Sequence, residues 1–554
     1  MLRTFIYLLT FLLFTTAVTP SNADEFDDDL LAPRRVEDDS PVDITEADTT
    51  AVSSDFSIRY LARYSYAEPI PSEVADKPYR IAQKLRFDDH RGLTLLFAVE
   101  KDPGESNLLD HVLISGKLKL QAIRSDLILG NYLVRSGHGL VVNTARNYGL
   151  GTWSNHLLKF PQDACRISDS WTEETALYGL AVNTRTDWFS SSIWASSRLR
   201  DADLDSNGVV NGFRDTGYHR TANEMDDQDS VEENIVGVRA GFPFLIEKLR
   251  FGTTWHFIKW DKPVDYQNRL YDETWGGGGD LSYINDAVTF TTEAAIDQNY
   301  NSAFMSTFKF DRVDLNSHFV LYHVSHDYFA PLAQSLDFDL GDVRNRQGGY
   351  ATLNYRFSSK SQIYGYFHLY RFVESQESQS TGGRDYYLKI NQEFNQQFSA
   401  AVTSHWTEED IETVSSDLRW RGSAKARFTP PGGWDTRLKL DLAASAEDEN
   451  LGRLIQLHLK RKWNVSHSFD LQTSLKGGLY STDSYASRLF WAAQDLSRII
   501  QFHSVWDDGK IVEISARAGI NKIGKFELNL LWDQPQNESG REPYRSFRFI
   551  YQYR

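Results

Sequence analysis

The chain has 554 residues, a net charge of −17 and one cysteine, Cys165. A lone cysteine cannot form an intramolecular disulfide. The acidic balance argues against a general nucleic-acid binder, because phosphate contacts need basic surface.

The first elements read as export and tail. Arg3 supplies a positive charge, Phe5 to Phe14 is apolar, and Ser21-Asn22-Ala23 is a small-residue cleavage site. Residues 1–23 are therefore expected to be a cleaved signal peptide. The alternative, a membrane anchor, suits a longer apolar core than this one. No cysteine follows at residue 24, which argues against a lipid anchor. Residues 24–48 then carry eleven acids and only two bases, Arg34 and Arg35. Such a stretch cannot bury enough apolar surface to fold, so 24–54 is expected to be a disordered acidic tail in the periplasm. A partner-binding role for it ranks second.

From about residue 55 the pattern changes to repeated period-two alternation. Val112, Ile114, Gly116, Leu118 and Leu120 alternate with Ser115, Lys117, Lys119 and Gln121. Leu438, Leu440 and Leu442 alternate with Arg437, Lys439 and Asp441, and Phe526, Leu528, Leu530 and Trp532 enclose Glu527 and Asn529. Alternate strand residues face opposite ways, so each segment has one apolar and one polar face. A soluble sandwich or β-helix alternates too. Many segments here reach the 9–11 residues or so that a tilted strand needs to cross a bilayer. The expected fold class is all-β: one large antiparallel transmembrane β-barrel over 55–554, with about 24–26 strands. Only about 30 residues lie between the cleavage site and the first strand near Phe56, so no separate plug domain is expected.

Candidate short turns are 88–91, 311–314, 430–433 and 521–524, each rich in turn-forming residues. Long connections are expected at 137–172, 198–232, 261–277 and 326–346, on the side opposite both termini. The stretches 261–285 and 485–505 are ambiguous. At the end of the chain, Phe547, Phe549, Tyr551 and Tyr553 occupy alternate positions. This resembles the C-terminal strand by which the outer-membrane assembly machinery recognises barrels, although Arg554 follows where the motif ends on an aromatic residue. The expected location is the bacterial outer membrane, with lipid and that machinery as partners.

Three stretches resemble a family of large outer-membrane barrels in which the barrel commonly follows a helix-hairpin-helix segment. They are Glu100-Lys101-Asp102-Pro103-Gly104-Glu105, Leu129-Gly130-Asn131-Tyr132 leading to Ser136-Gly137-His138-Gly139-Leu140, and Thr216-Gly217-Tyr218-His219-Arg220-Thr221. The resemblance covers roughly residues 80–330 and implies architecture and location. It implies no activity. The helix-hairpin-helix segment is not visible here, so its DNA contact does not carry over.

Candidate sites are few. Asp203, Asp205 and Asn207 precede Gly208 with the spacing of a calcium loop, and Asn211 could supply a further oxygen. Arg214 stands where an acid is expected, with Asp201 or Asp215 able to compensate, and the alternative is an ordinary Asp/Asn/Gly-rich loop. His323 and His326 are three apart on one strand, on opposite faces, and so do not form a metal pair. Gly276 to Gly279 reads as a flexible loop. His219-Arg220-Thr221 reads as loop packing. Arg419, Arg421, Lys425 and Arg427 share one face of a strand and could line a pore with cations. The alternative is pairing with acids such as Asp435 and Asp441. No catalytic residue and no cofactor other than calcium is expected. The leading function is a pore for small polar solutes. A filled barrel that binds a partner through its external loops ranks second, and a barrel hydrolase a distant third.

Overall fold

The computed structural model describes residues 56–553 apart from 70–77, 106, 108, 146–159, 161–162, 172–174, 215, 244–247, 336–341, 375–379, 412–416, 447, 449, 467, 495–499, 522 and 537–540. The expected signal peptide and acidic tail lie outside the described residues.

Twenty-four long strands, each antiparallel to the next, form one closed barrel among the described residues. They run from 9 residues (Leu93–Lys101) to 18 residues (Leu249–Tyr266). The first strand, Phe56–Glu68, pairs with the last, Tyr544–Tyr553, through Tyr60↔Tyr553 and Tyr64↔Phe549. Closure leaves no strand edge unpaired, which a barrel in lipid requires.

The cross-strand register carries the sequence alternation around the wall. Residues directly opposite one another share a face. One such row runs Phe319↔Ala351↔Phe367↔Tyr386↔Trp406↔Trp420. Another runs Leu459↔Leu475↔Ile514↔Leu530↔Phe547. Ile514 is 51% exposed and Leu457 46% exposed, although both are apolar and lie in mid-strand. The opposite face holds Asp441, Gln456, Glu513, Glu527 and Arg548, all buried. An apolar outside around a polar inside is the construction of a barrel solvated by lipid.

Both termini lie at the end with short turns, and the connections 135–176, 201–230, 325–345 and 482–507 all lie at the other. One expected loop is absent. Residues 261–277 belong to the hairpin of strands Leu249–Tyr266 and Arg269–Ile284, closed by Gln267 and Asn268 in left-handed conformation. Two left-handed residues match the twist of a two-residue hairpin turn. Gly276 to Gly279 are strand residues here. A Cβ on Gly276 would lie 2.7 Å from the His256 ring, and one on Gly277 would lie 2.6 Å from the Trp255 ring. Glycine is required there by close approach, not by flexibility. His326 lies beyond the strand Leu315–Val324 that carries His323.

Candidate functional site: a half-filled lumen

The inner wall has two unlike halves. On strands from Ser125–Val134 to Leu249–Tyr266 it carries a buried apolar patch among polar residues such as Ser192, Glu233 and Thr254. Ile128, Tyr132, Trp194, Ile235, Ile258 and Trp260 are buried in one cluster with Val142, Cys165, Phe329 and Leu332. The latter four belong to chain segments that fold inward between the strands. A second cluster joins Leu140, Val141, Tyr328 and Ala333 to Ala295, Met305, Tyr322 and Tyr350 on the wall. Simple polar-in alternation therefore fails in this half, because the wall meets protein instead of water.

Hydrogen bonds fasten the inward segments. The Glu293 carboxylate, on the inner face of strand Val288–Asp297, accepts the backbone N–H of His138 (2.6 Å), Leu140 (3.2 Å) and Val141 (3.4 Å). Gly137 is left-handed (φ 48°), and a Cβ there would lie 2.6 Å from the same carboxylate. Asp297 Oδ2 accepts Phe329 N–H at 2.9 Å, and the Tyr328 hydroxyl donates to Leu140 O at 2.8 Å. The two segments thus hold each other as well as the wall. Beside Glu293, Arg239 and Asp280 form a buried two-point ion pair at 2.5 and 3.0 Å.

The other half is polar and basic. Strand Asp417–Phe428 turns Arg419, Arg421, Lys425 and Arg427 inward, opposite the exposed Leu418 and Phe428. Arg427 and Arg437 both pair with Asp435 (2.9 and 2.8 Å), and Lys439 pairs with Asp441 (3.0 Å). Pairing with Asp435 thus accounts for Arg427. Arg421 instead lies with its guanidinium 5.1 Å from the centre of the Phe490 ring. Arg419 is exposed, and Lys425, Lys460 and Lys476 are half-buried, so this wall keeps contact with solvent.

Phe490 reaches Arg421 on a second inward element. Strands Leu489–Gln494 and Ile500–Val505 pair only with each other, inside the connection 482–507. Trp491 anchors them. Its ring is fully buried, its Nε1 donates to Glu513 at 2.7 Å, and Lys476 Nζ sits 4.0 Å from the ring centre.

At the end with the long connections, two of the family-like stretches meet. Glu105 accepts Asp102 N–H at 2.6 Å and His219 N–H at 3.3 Å. The His219 ring lies between Asp110 (Nδ1 to Oδ2, 2.9 Å) and Asp201 (Nε2 to Oδ2, 2.7 Å). Burial opposes the ring's charge, yet hydrogen bonds to two carboxylates outweigh it and push its pKa up to about 11. Burial, then repulsion by Asp110, raises Glu105 to about 7. Glu105, Asp110 and His219 are the one group of three metal-ligating side chains among the described residues.

The expected calcium residues lie nearby without converging. Asp205 Oδ1 accepts Asn207 N–H and Val209 N–H, both at 2.8 Å, within the tight turn at Gly208. Asp203 faces Arg214 at 4.0 Å, which also pairs with Asp227 at 2.8 Å. Asn211 lies in the strand Val210–Phe213 beyond the turn. Arg220 holds Glu224, whose carboxylate closes a capping box with Thr221 at the start of helix Ala222–Asp227. His219 is thus the structural residue of its motif that sequence spacing could not single out, because its partners are 18 and 109 residues away.

No family model matches the sequence, and no curated protein matches it. Solved structures do match in shape. The P pilus usher (PapC) translocation pore aligns over 90% of this chain and 98% of its own, at 9% identity and TM-score 0.40. Acinetobacter baumannii OccAB4 aligns over 67% and 98%, at 7% identity and TM-score 0.31. Pseudomonas aeruginosa OccK3 (OpdO) aligns over 65% and 95%, at 11% identity and TM-score 0.32. The chain is similar to these barrels in general form.

Proposed function

We propose that this protein is a channel of the bacterial outer membrane for small polar solutes, with a lumen narrowed by its own inward segments. The observation that carries this reading is the basic inner wall from Arg419 to Lys476, which keeps solvent contact while the opposite wall is packed shut. Fixed cations along a narrowed aqueous path favour anions. The apolar outer belt is solvated by lipid, and the aromatic C-terminal strand serves recognition by the assembly machinery. The test is single-channel recording of the purified protein in a planar bilayer.

The filled half favours a second reading, in which the barrel is chiefly a support for its external connections. The His219 latch then shapes a binding surface. The same recording separates the two, since a support without a path carries no current.

A further inference from the structure

Across four adjacent strands, one lateral row of inner-face residues runs Tyr366↔Tyr387↔His405↔Arg421 in direct register. Tyr366 and Tyr387 stack with ring centres 5.4 Å apart and planes 10° apart. His405 Nε2 meets Asp385 Oδ1 at 2.7 Å, and the Tyr366 hydroxyl donates to Asp385 Oδ2 at 3.3 Å, so this neighbouring acid is already engaged. The row ends at Phe490, whose ring is shared by Arg421 at 5.1 Å and Arg488 at 5.8 Å. Neither arginine makes an ion pair with a carboxylate among the described residues. Arg488 otherwise contacts Tyr485.

Two guanidinium groups brought to one ring repel each other, and an oxyanion placed between them would relieve that repulsion with charge-assisted hydrogen bonds. The Phe490 ring offers flat apolar surface at one edge of the solvated wall, and the Tyr366–Tyr387 stack lies further along the same row, beyond His405. We propose that Arg421, Arg488 and Phe490 form a binding site for small aromatic carboxylates inside the lumen. This rests on the reading of that half of the lumen as a solute path.

Calorimetric titration of the purified protein in detergent with benzoate tests the site without requiring conduction. Benzoate is expected to bind, and Arg421→Gln and Arg488→Gln are each expected to weaken it by about tenfold. Phe490→Leu, which keeps both charges, is expected to weaken it several-fold. Benzamide and acetate are expected to bind far more weakly than benzoate. Heat-modifiable mobility on gels shows that each variant is folded. Unchanged affinity in folded Arg421→Gln/Arg488→Gln protein would overturn the site. Acetate or phosphate binding as tightly as benzoate would overturn the ligand class. Binding of benzoate by a protein that carries no current would leave the site standing and remove the channel. Current without benzoate binding would do the reverse.

Discussion

The backbone N–H of His138 donates to Glu293 Oε2 at 2.6 Å across 155 residues of sequence. This contact ties an inward segment to the wall. Glu293→Ala removes all three acceptor bonds and is expected to lower stability by about 2–4 kcal/mol. It should also release residues 135–145 and raise single-channel conductance. Urea titration and bilayer recording check the two effects. A destabilised variant with the parent's conductance would show that the segment does not limit the path.

The Trp491 anchor makes a parallel case on the other wall. Trp491→Ala removes a fully buried ring and a hydrogen bond to Glu513, at a cost of about 3–5 kcal/mol. Trp491→Phe keeps the ring volume in large part and should cost less. Equal losses in the two variants would mean that the hydrogen bond, not the packing, holds the hairpin.

The His219 latch should loosen as pH rises. Both His219 and Glu105 have folded-state pKa values raised above their ordinary ones, so each contributes most below its ordinary value and loses that contribution as pH rises through its folded value. For Glu105 the window is about pH 4.5 to 7, and for His219 it is about pH 6.5 to 11. Amide exchange in 102–110 and 201–230, corrected for intrinsic rates, is expected to be slowest near pH 5 and faster at pH 9. His219→Ala should remove most of the difference. Exchange independent of pH in the parent would contradict the latch.

The two faces of a strand should respond oppositely to charge. Leu457→Arg places a cation on the apolar outer face and, in a bilayer, is expected to cost about 2–4 kcal/mol. Gln456→Arg, on the inner face one residue away, should cost less and shift ion selectivity. Folding titrations into lipid vesicles compare them.

The outer face of the barrel was legible in the sequence because strand after strand puts apolar residues there, as Leu438, Leu457 and Leu475 show. The strand count fell within the expected 24–26. The ambiguity at 485–505 was real, since Leu489–Gln494 and Ile500–Val505 are strands that do not join the wall. The buried apolar patch of the inner wall was not legible. Trp194 and Trp260 face inward in one buried cluster with Phe329 and Val142, and nothing local announces neighbours supplied from so far along the chain. The glycine run misled for a related reason: rings at Trp255 and His256 on the neighbouring strand demand it. Arg419, Arg421, Lys425 and Arg427 share one face of their strand, and alternation alone did not show that Arg421 meets Phe490.

The most direct test of the central claim is the reversal potential of single channels of the purified protein across a potassium chloride gradient. The channel reading expects steady open steps and anion preference, reduced when Arg419, Arg421 and Lys425 are replaced by glutamine. A folded, heat-modifiable barrel that inserts and carries no current would contradict it.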